Sequence, residues 1–203
     1  MAEVVTRGTG RVERTADRAE VQVSFETTGS SRTEAVTALT ERVAAVERVL
    51  ASVEVRSRQL FVHDNWNGRR RAGSRASQQY TLRVDDLAVL DELLGTLVQA
   101  EPAWLNGPNW QLKDDADAVR EAQSAAVADA RRRAEGYAEA LGAKLGPLHR
   151  ISDGDTETSW APERAMVGYG GAPGAGPQMD QLNLEAQQIV VSVRCAGTWT
   201  LLD

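Results

Sequence analysis

Between residues 116 and 142 alanine recurs at every fourth position: Ala122, Ala126, Ala130, Ala134 and Ala138. At about 100° per residue these methyl groups form one ridge along a helix. A ridge of small side chains adds little core volume but lets a neighbouring backbone come very close. A helix from about Asp114 to Leu141, ending near Gly142, is therefore expected to bury this ridge. Val119, Val127, Tyr137, Leu141 and Leu145 are expected to flank it. Arg131, Arg132 and Arg133 then fall on the far side and its shoulders. Asp129–Arg133 and Arg131–Glu135 are i, i+4 pairs and Arg132–Glu135 an i, i+3 pair, so the triplet reads as a salt-bridged helix surface rather than an anion site.

The other segments read by their periods. Residues 3–14 are strand-like and carry Gly8 and Gly10. A dinucleotide fingerprint fails there, because Glu13 stands where a third glycine belongs and a second strand follows instead of a helix. The two strands read as a glycine-bulged hairpin. Val21, Val23 and Phe25 alternate along the second. Ser31 and Glu34 make a capping-box pattern, followed by a helix with Ala35, Leu39, Val43, Val46 and Leu50 on one face. Residues 57–66 form a strand, Asn67-Gly68 a turn with a basic RRRAG loop after it, and residues 75–85 a strand. A second helix over 86–100 uses Leu87, Leu90, Leu94 and Leu97; residues 103–113 form a strand broken at Gly107-Pro108. After the alanine helix come a short strand, GPLHRISD, a Gly/Pro-rich segment at about 153–184 that reads as a mobile loop, and a long last strand over 187–202.

This order, β-β-α-β-β-α-β-α-β-β, contains a ferredoxin-like β-α-β-β-α-β stretch, plus an extra helix and C-terminal strands. The expected fold is α+β, with a mostly antiparallel sheet and helices on one face. A chain of 203 residues reads here as a single domain, 1–203.

The net charge of −6 argues against a nucleic-acid-binding protein. Twenty-one arginines against two lysines look like a genome-wide bias, which lowers the weight of any short arginine run. No stretch is long and apolar enough to span a membrane. No apolar run of signal-peptide length opens the chain, so as written it reads as cytoplasmic; trimming of an export signal would leave the same sequence.

The stretch AVADARRRAEGYAEALGAKLGPLHRIS, Ala126 through Ser152, resembles the signature of the SIMPL-domain family. That signature is a helix of the form A-V-x-D-A-R-x-[KR]-A-E, then A-L-G-x-x-L-G and a short strand ending in I-S. TGRVERTADRAEVQVSFETTG, SRASQQYTLRVDDLAVLDELL and LNGPNWQLKD resemble other family segments in the same order, so the likeness runs along nearly the whole chain. The resemblance implies an α/β fold of the kind read above and ring- or channel-like oligomers. It implies an association with stress protection and export from the cytoplasm, and no catalytic residue set.

Candidate chemistry is sparse. Cys195 shares a strand face with Ile189, Val191, Val193, Trp199 and Leu201 and reads as a small buried residue, not a redox thiol. His63 and His149 lie on predicted strands without metal-ligand spacing and read as hydrogen-bonded strand residues. No cofactor and no metal are expected. Trp104, Trp110 and Trp199 read as core or sheet-face residues. Trp66 and Trp160 stand in polar surroundings, and exposed tryptophans mark contacts. Trp66 with Arg69, Arg70 and Arg71, and Trp160 separately, are the candidate contact residues. The last strand is long and blunted by neither lysine nor proline, so either the first strands or a second subunit must cover its edge. The leading expectation is a non-enzymatic, self-assembling homo-oligomer, with the long strands or the 153–184 segment at the contact. The alternatives are a small-molecule or peptide binding module near that segment and, behind it, an enzyme.

Overall fold

The computed structural model describes residues 2–160 and 184–203, of residue 160 the backbone alone. The elements follow the expected order: β1 (Ala2–Thr15), β2 (Arg18–Gly29), α1 (Arg32–Leu50), β3 (Glu54–Asn67), β4 (Arg70–Val84), α2 (Leu90–Gln99), β5 (Trp104–Gln111), α3 (Ala116–Ala140), β6 (Lys144–Trp160) and β7 (Gln188–Leu202). The fold is α+β, with helices packed on antiparallel sheets. It has two sheets rather than the one expected, of order β1-β7-β6 and β3-β4-β2-β5. Contacts divide the chain into two compact units. One holds the described residues of Met1–Ala16, Leu112–Ala165 and Gln187–Asp203; the other holds those of Asp17–Gln111 and Met166–Ala186.

The second unit is the β-α-β-β-α-β stretch. Its strand order β3-β4-β2-β5 has antiparallel neighbours throughout, the split-βαβ arrangement that the element order implies. Its core joins Val21, Val23 and Phe25 of β2, Tyr80 and Leu82 of β4, and the apolar stripes of both helices. On α1 the five expected residues, Ala35 through Leu50, are the buried ones. Ser31 caps that helix by accepting the Glu34 N–H at 3.2 Å. The return bond of the capping box lands one residue early: the Glu34 carboxylate accepts the Ser30 N–H at 2.9 Å. The Ser30 hydroxyl and N–H hold Glu34 below its usual carboxylate range. Phe25 meets Tyr80 edge-on at 6.3 Å, and the Tyr80 hydroxyl donates to Glu47 at 3.0 Å.

The first unit lays α3 on a three-stranded sheet. Four readings change there. First, β1 and β2 do not form a hairpin: β1 pairs with β7, from Ala2↔Leu201 to Thr15↔Gln188. The two residues between them, Ala16-Asp17, are not the glycine-bearing pair that a tight hairpin turn needs. Second, Gly8 and Gly10 mark no bulge, because that pairing runs unbroken. They face α3. A Cβ on Gly8 would stand 2.0 Å from the Ala126 carbonyl oxygen, and one on Gly10 1.9 Å from that of Ala122. Thr6, on the same face, donates from Oγ1 to the Ala130 carbonyl at 2.6 Å. The alanine ridge and the glycine pair are two halves of one contact.

Third, β7 is the central strand, covered on both edges from within the chain by β1 and β6. Of the two expected ways of covering it, the first strand of the chain supplies one edge, and β7 needs no second subunit. Fourth, residues 153–160 are not loop: β6 continues to Trp160, pairing Thr156↔Val193 through Trp160↔Ile189. DGDTETSW is polar because β6 is an edge strand with exposed faces, and such a strand resembles a loop in composition. The remainder of the expected mobile loop, 161–183, lies outside the described residues.

The flanks of α3 also differ. Ala118 and the five ridge alanines are buried, but Val127, Tyr137 and Leu141 are exposed. The three-stranded sheet meets α3 along the ridge and leaves these shoulders uncovered.

Candidate interaction surface

Among the described residues, β3 is an edge strand of the second unit. A run of three apolar residues at period two must place at least one on each sheet face. Leu60, Phe61 and Val62 are such a run. They are 55%, 44% and 36% exposed, and Trp66 further along is 64% exposed. The sequence reading missed Leu60–Val62; the signal was their adjacency in a strand. Between two register shifts, at Val55/Ser57 and Asn65/Trp66, the strand runs regularly against β4 from Ser57↔Thr81 to Asn65↔Gly73.

The β3–β4 hairpin brings four of the five sequence candidates together. Trp66 pairs with Arg71 and Asn67 with Arg70, and Arg69 sits in the turn beside Gly68 (φ 62°). Arg70 and Arg71 thus belong to β4, where a basic loop was expected. Arg71 donates to Ser74 at 2.7 Å and lies 3.2 Å from Asp64, whose other oxygen meets Arg32 at 2.9 Å. The Ser74 hydroxyl first, then the Arg32 guanidinium, hold Asp64 below the usual carboxylate range. Arg69 and Arg70 form no ion pair with a described residue. The Trp160 side chain lies outside what is described.

The histidines behave differently from expectation. Both are exposed on their strands; His149 Nε2 lies 3.7 Å from Glu3, and His63 makes no hydrogen bond among the described residues. His63 and Asp64 cannot act as an acid–base pair, since neighbours on a strand point to opposite faces. Among the described residues no group of three His, Cys, Asp or Glu side chains could hold a metal ion.

The arginine triplet of α3 has a structural task. Arg131 pairs with Glu135 at 2.9 Å and Arg133 with Asp129 at 3.1 Å, as their spacing implies. Arg132 turns back to Asp129 instead of forward to Glu135. Asp129, only 14% exposed, accepts the Thr9 N–H of β1 at 3.2 Å. This N–H lies on a sheet-edge strand, so the helix caps one of that edge's free donors. That bond, ahead of the two arginines, lowers the Asp129 pKa. A carboxylate with a depressed folded pKa contributes stability above its unfolded pKa and loses it as pH falls through the folded one. Asp129→Asn is therefore expected to be less stable than wild type at pH 7, with the gap closing as pH drops below the ordinary carboxylate range. Urea midpoints at pH 7 and at low pH check this; a gap that widened in acid would contradict it.

Cys195 is buried, and desolvation raises its pKa against a counteracting hydrogen bond from the Gly8 backbone. The thiol stays protonated at neutral pH, so a maleimide is expected to label it slowly in the native chain and rapidly in urea. Fast native labelling would contradict this placement. Cys195 also lines two open cavities. One, about 250 Å³, is bounded by Val127, Ile151 and Val193. The other, about 330 Å³, is bounded by Arg7, Thr9, Asp153, Asp155 and Arg194.

Residues 4–199 match a protein family described as SIMPL, protein of unknown function (DUF541). The match spans both compact units. A search of curated proteins finds no match.

Proposed function

The chain belongs to the SIMPL family, and on that premise we propose that it works by self-assembly, as a non-enzymatic scaffold. The observation that carries this reading is the β3 edge. An exposed edge strand bearing three consecutive apolar residues and a tryptophan is a template for another chain, which single-chain proteins ordinarily blunt. The perturbed carboxylates support the non-enzymatic part. Glu34, Asp64 and Asp129 owe their lowered pKa values to helix capping, hairpin and edge contacts, not to a shared cleft. Light scattering tests the proposal: a multiple of the 22.0 kDa chain mass is expected at micromolar concentration in moderate salt, falling in Val62→Lys. A wild-type chain that runs as a monomer would overturn it. The link to stress protection rests on the family resemblance; oxidant survival of cells lacking the chain, with and without restored wild type, tests it.

A second reading is a small-molecule or peptide site at the start of the 153–184 segment. The 330 Å³ cavity favours it, since its Arg7, Arg194, Asp153 and Asp155 side chains offer both charges to a polar ligand. Thermal shift of wild type against Arg194→Ala over a panel of small zwitterions tests this; equal shifts in both would rule the cavity out.

A further inference from the structure

We infer that two copies of this chain join through β3, antiparallel and about a two-fold axis at Phe61, into one eight-stranded sheet. This deepens the self-assembly reading and rests on it. Two separate observations select the register. The first is backbone shape. The register shifts that bound the regular part of β3 leave Ser57–Asn65 undisturbed, and the middle residue of that stretch is Phe61. A strand pairing with its own copy places the axis at the centre of the stretch that can pair.

The second is side-chain chemistry. About Phe61, Leu60 stands opposite Val62, Gln59 opposite His63, Arg58 opposite Asp64 and Ser57 opposite Asn65. Each residue meets one of its own kind, and the one charged pair, Arg58 with Asp64, is of opposite sign and occurs twice, Arg58 joining the Arg32 and Arg71 already on that carboxylate. Directly opposed residues share a sheet face, so all these pairs are compatible with the pleat. Moving the axis by one residue to Leu60 sets Arg58 against Val62; moving it to Val62 sets Leu60 against Asp64. An edge offset of this kind mismatches charge with apolar surface. Arg58 has capacity for the contact: one of its five donors bonds Glu47 at 2.9 Å, while its guanidinium lies over Tyr80 at 5.2 Å. The second copy is the occupant that this charge pattern fits, because the strand is complementary to itself.

Cysteine cross-linking reads the register. Phe61→Cys places the two thiols on the axis, with Cβ atoms about 4.5–5.5 Å apart. Gln59→Cys, on the same face, places them about 14 Å apart, four residues along the strand. Under copper–phenanthroline oxidation, Phe61→Cys is expected to give a disulfide-linked dimer on a non-reducing gel and Gln59→Cys none. The unsubstituted chain, whose Cys195 is buried, sets the background. If light scattering shows an oligomer while Phe61→Cys fails to cross-link, or Gln59→Cys links as readily, the register is wrong and self-assembly stands. If the wild-type chain is a monomer, the self-assembly reading itself falls, and the register with it.

Discussion

Gly10→Ala is expected to destabilise the protein by about 3 kcal/mol or more, the largest loss among single-methyl additions at the described glycines. The added Cβ would lie 1.9 Å from the Ala122 carbonyl oxygen and 2.6 Å from the Ala126 nitrogen. Both are helix backbone atoms, so no side chain can rotate away. Either α3 lifts off β1, which opens the Gly8 and Thr6 contacts along the same ridge, or the strand distorts between β7 and the helix. Gly8→Ala is expected to behave similarly, its Cβ lying 2.0 Å from the Ala126 oxygen. Gly136 is the control. It lies on the exposed side of the same helix, where an added methyl would meet nothing within 4 Å. Gly136→Ala is expected to stabilise by about 0.5–1 kcal/mol through backbone entropy alone. Urea unfolding of the three variants measures the contrast. Gly10→Ala unfolding within about 1 kcal/mol of wild type would mean that the close approach is not there.

Ala130→Leu is expected to cost about 3 kcal/mol, at the upper end of ordinary overpacking. Ala130 is buried, its carbonyl holds the Thr6 hydroxyl, and its methyl lies beneath Gly8. A leucine there meets strand backbone rather than deformable side chains. Arg132→Ala, two residues on and exposed, removes one of two guanidinium partners of Asp129 and leaves Arg133 in place, so a change of about 0.5 kcal/mol or less is expected. The reverse ranking in urea denaturation would mean that the buried face of α3 is assigned wrongly.

These two results would also give physical content to the SIMPL signature. In the A-V-x-D-A-R stretch of this chain, Ala126 and Ala130 make the floor on which β1 rests. Asp129 reaches around to the β1 edge, and the arginines hold Asp129. The arginine-rich part of that signature is a packing device, in keeping with the salt-bridged helix surface that its spacing implies.

The candidate surface was partly legible. Trp66 and the arginines around it drew attention through composition, and the hairpin does gather them. Leu60, Phe61 and Val62 did not, because an apolar run in a strand is usually read as buried on both faces. Whether it is buried depends on whether another strand or helix lies alongside, and nothing local encodes that neighbour.

What the sequence by itself determined is the type and order of the elements and the buried face of several of them. The alanine ridge of α3, the five buried residues of α1, Leu90, Leu94 and Leu97 of α2 and the alternation of β2 and β7 all follow from periods of 3.6 and 2. These patterns record which side of an element leaves water. The tertiary structure alone decided which element provides the cover: that β1 joins β7 across nearly the full chain and not β2 beside it, that there are two sheets, that β6 runs on through polar residues to Trp160, and that Gly8 and Gly10 serve α3. The reason is physical. Burial acts on one face of one segment and leaves a local periodic trace, whereas strand pairing and close approach are made between segments far apart in the chain, through backbone groups that every residue carries alike.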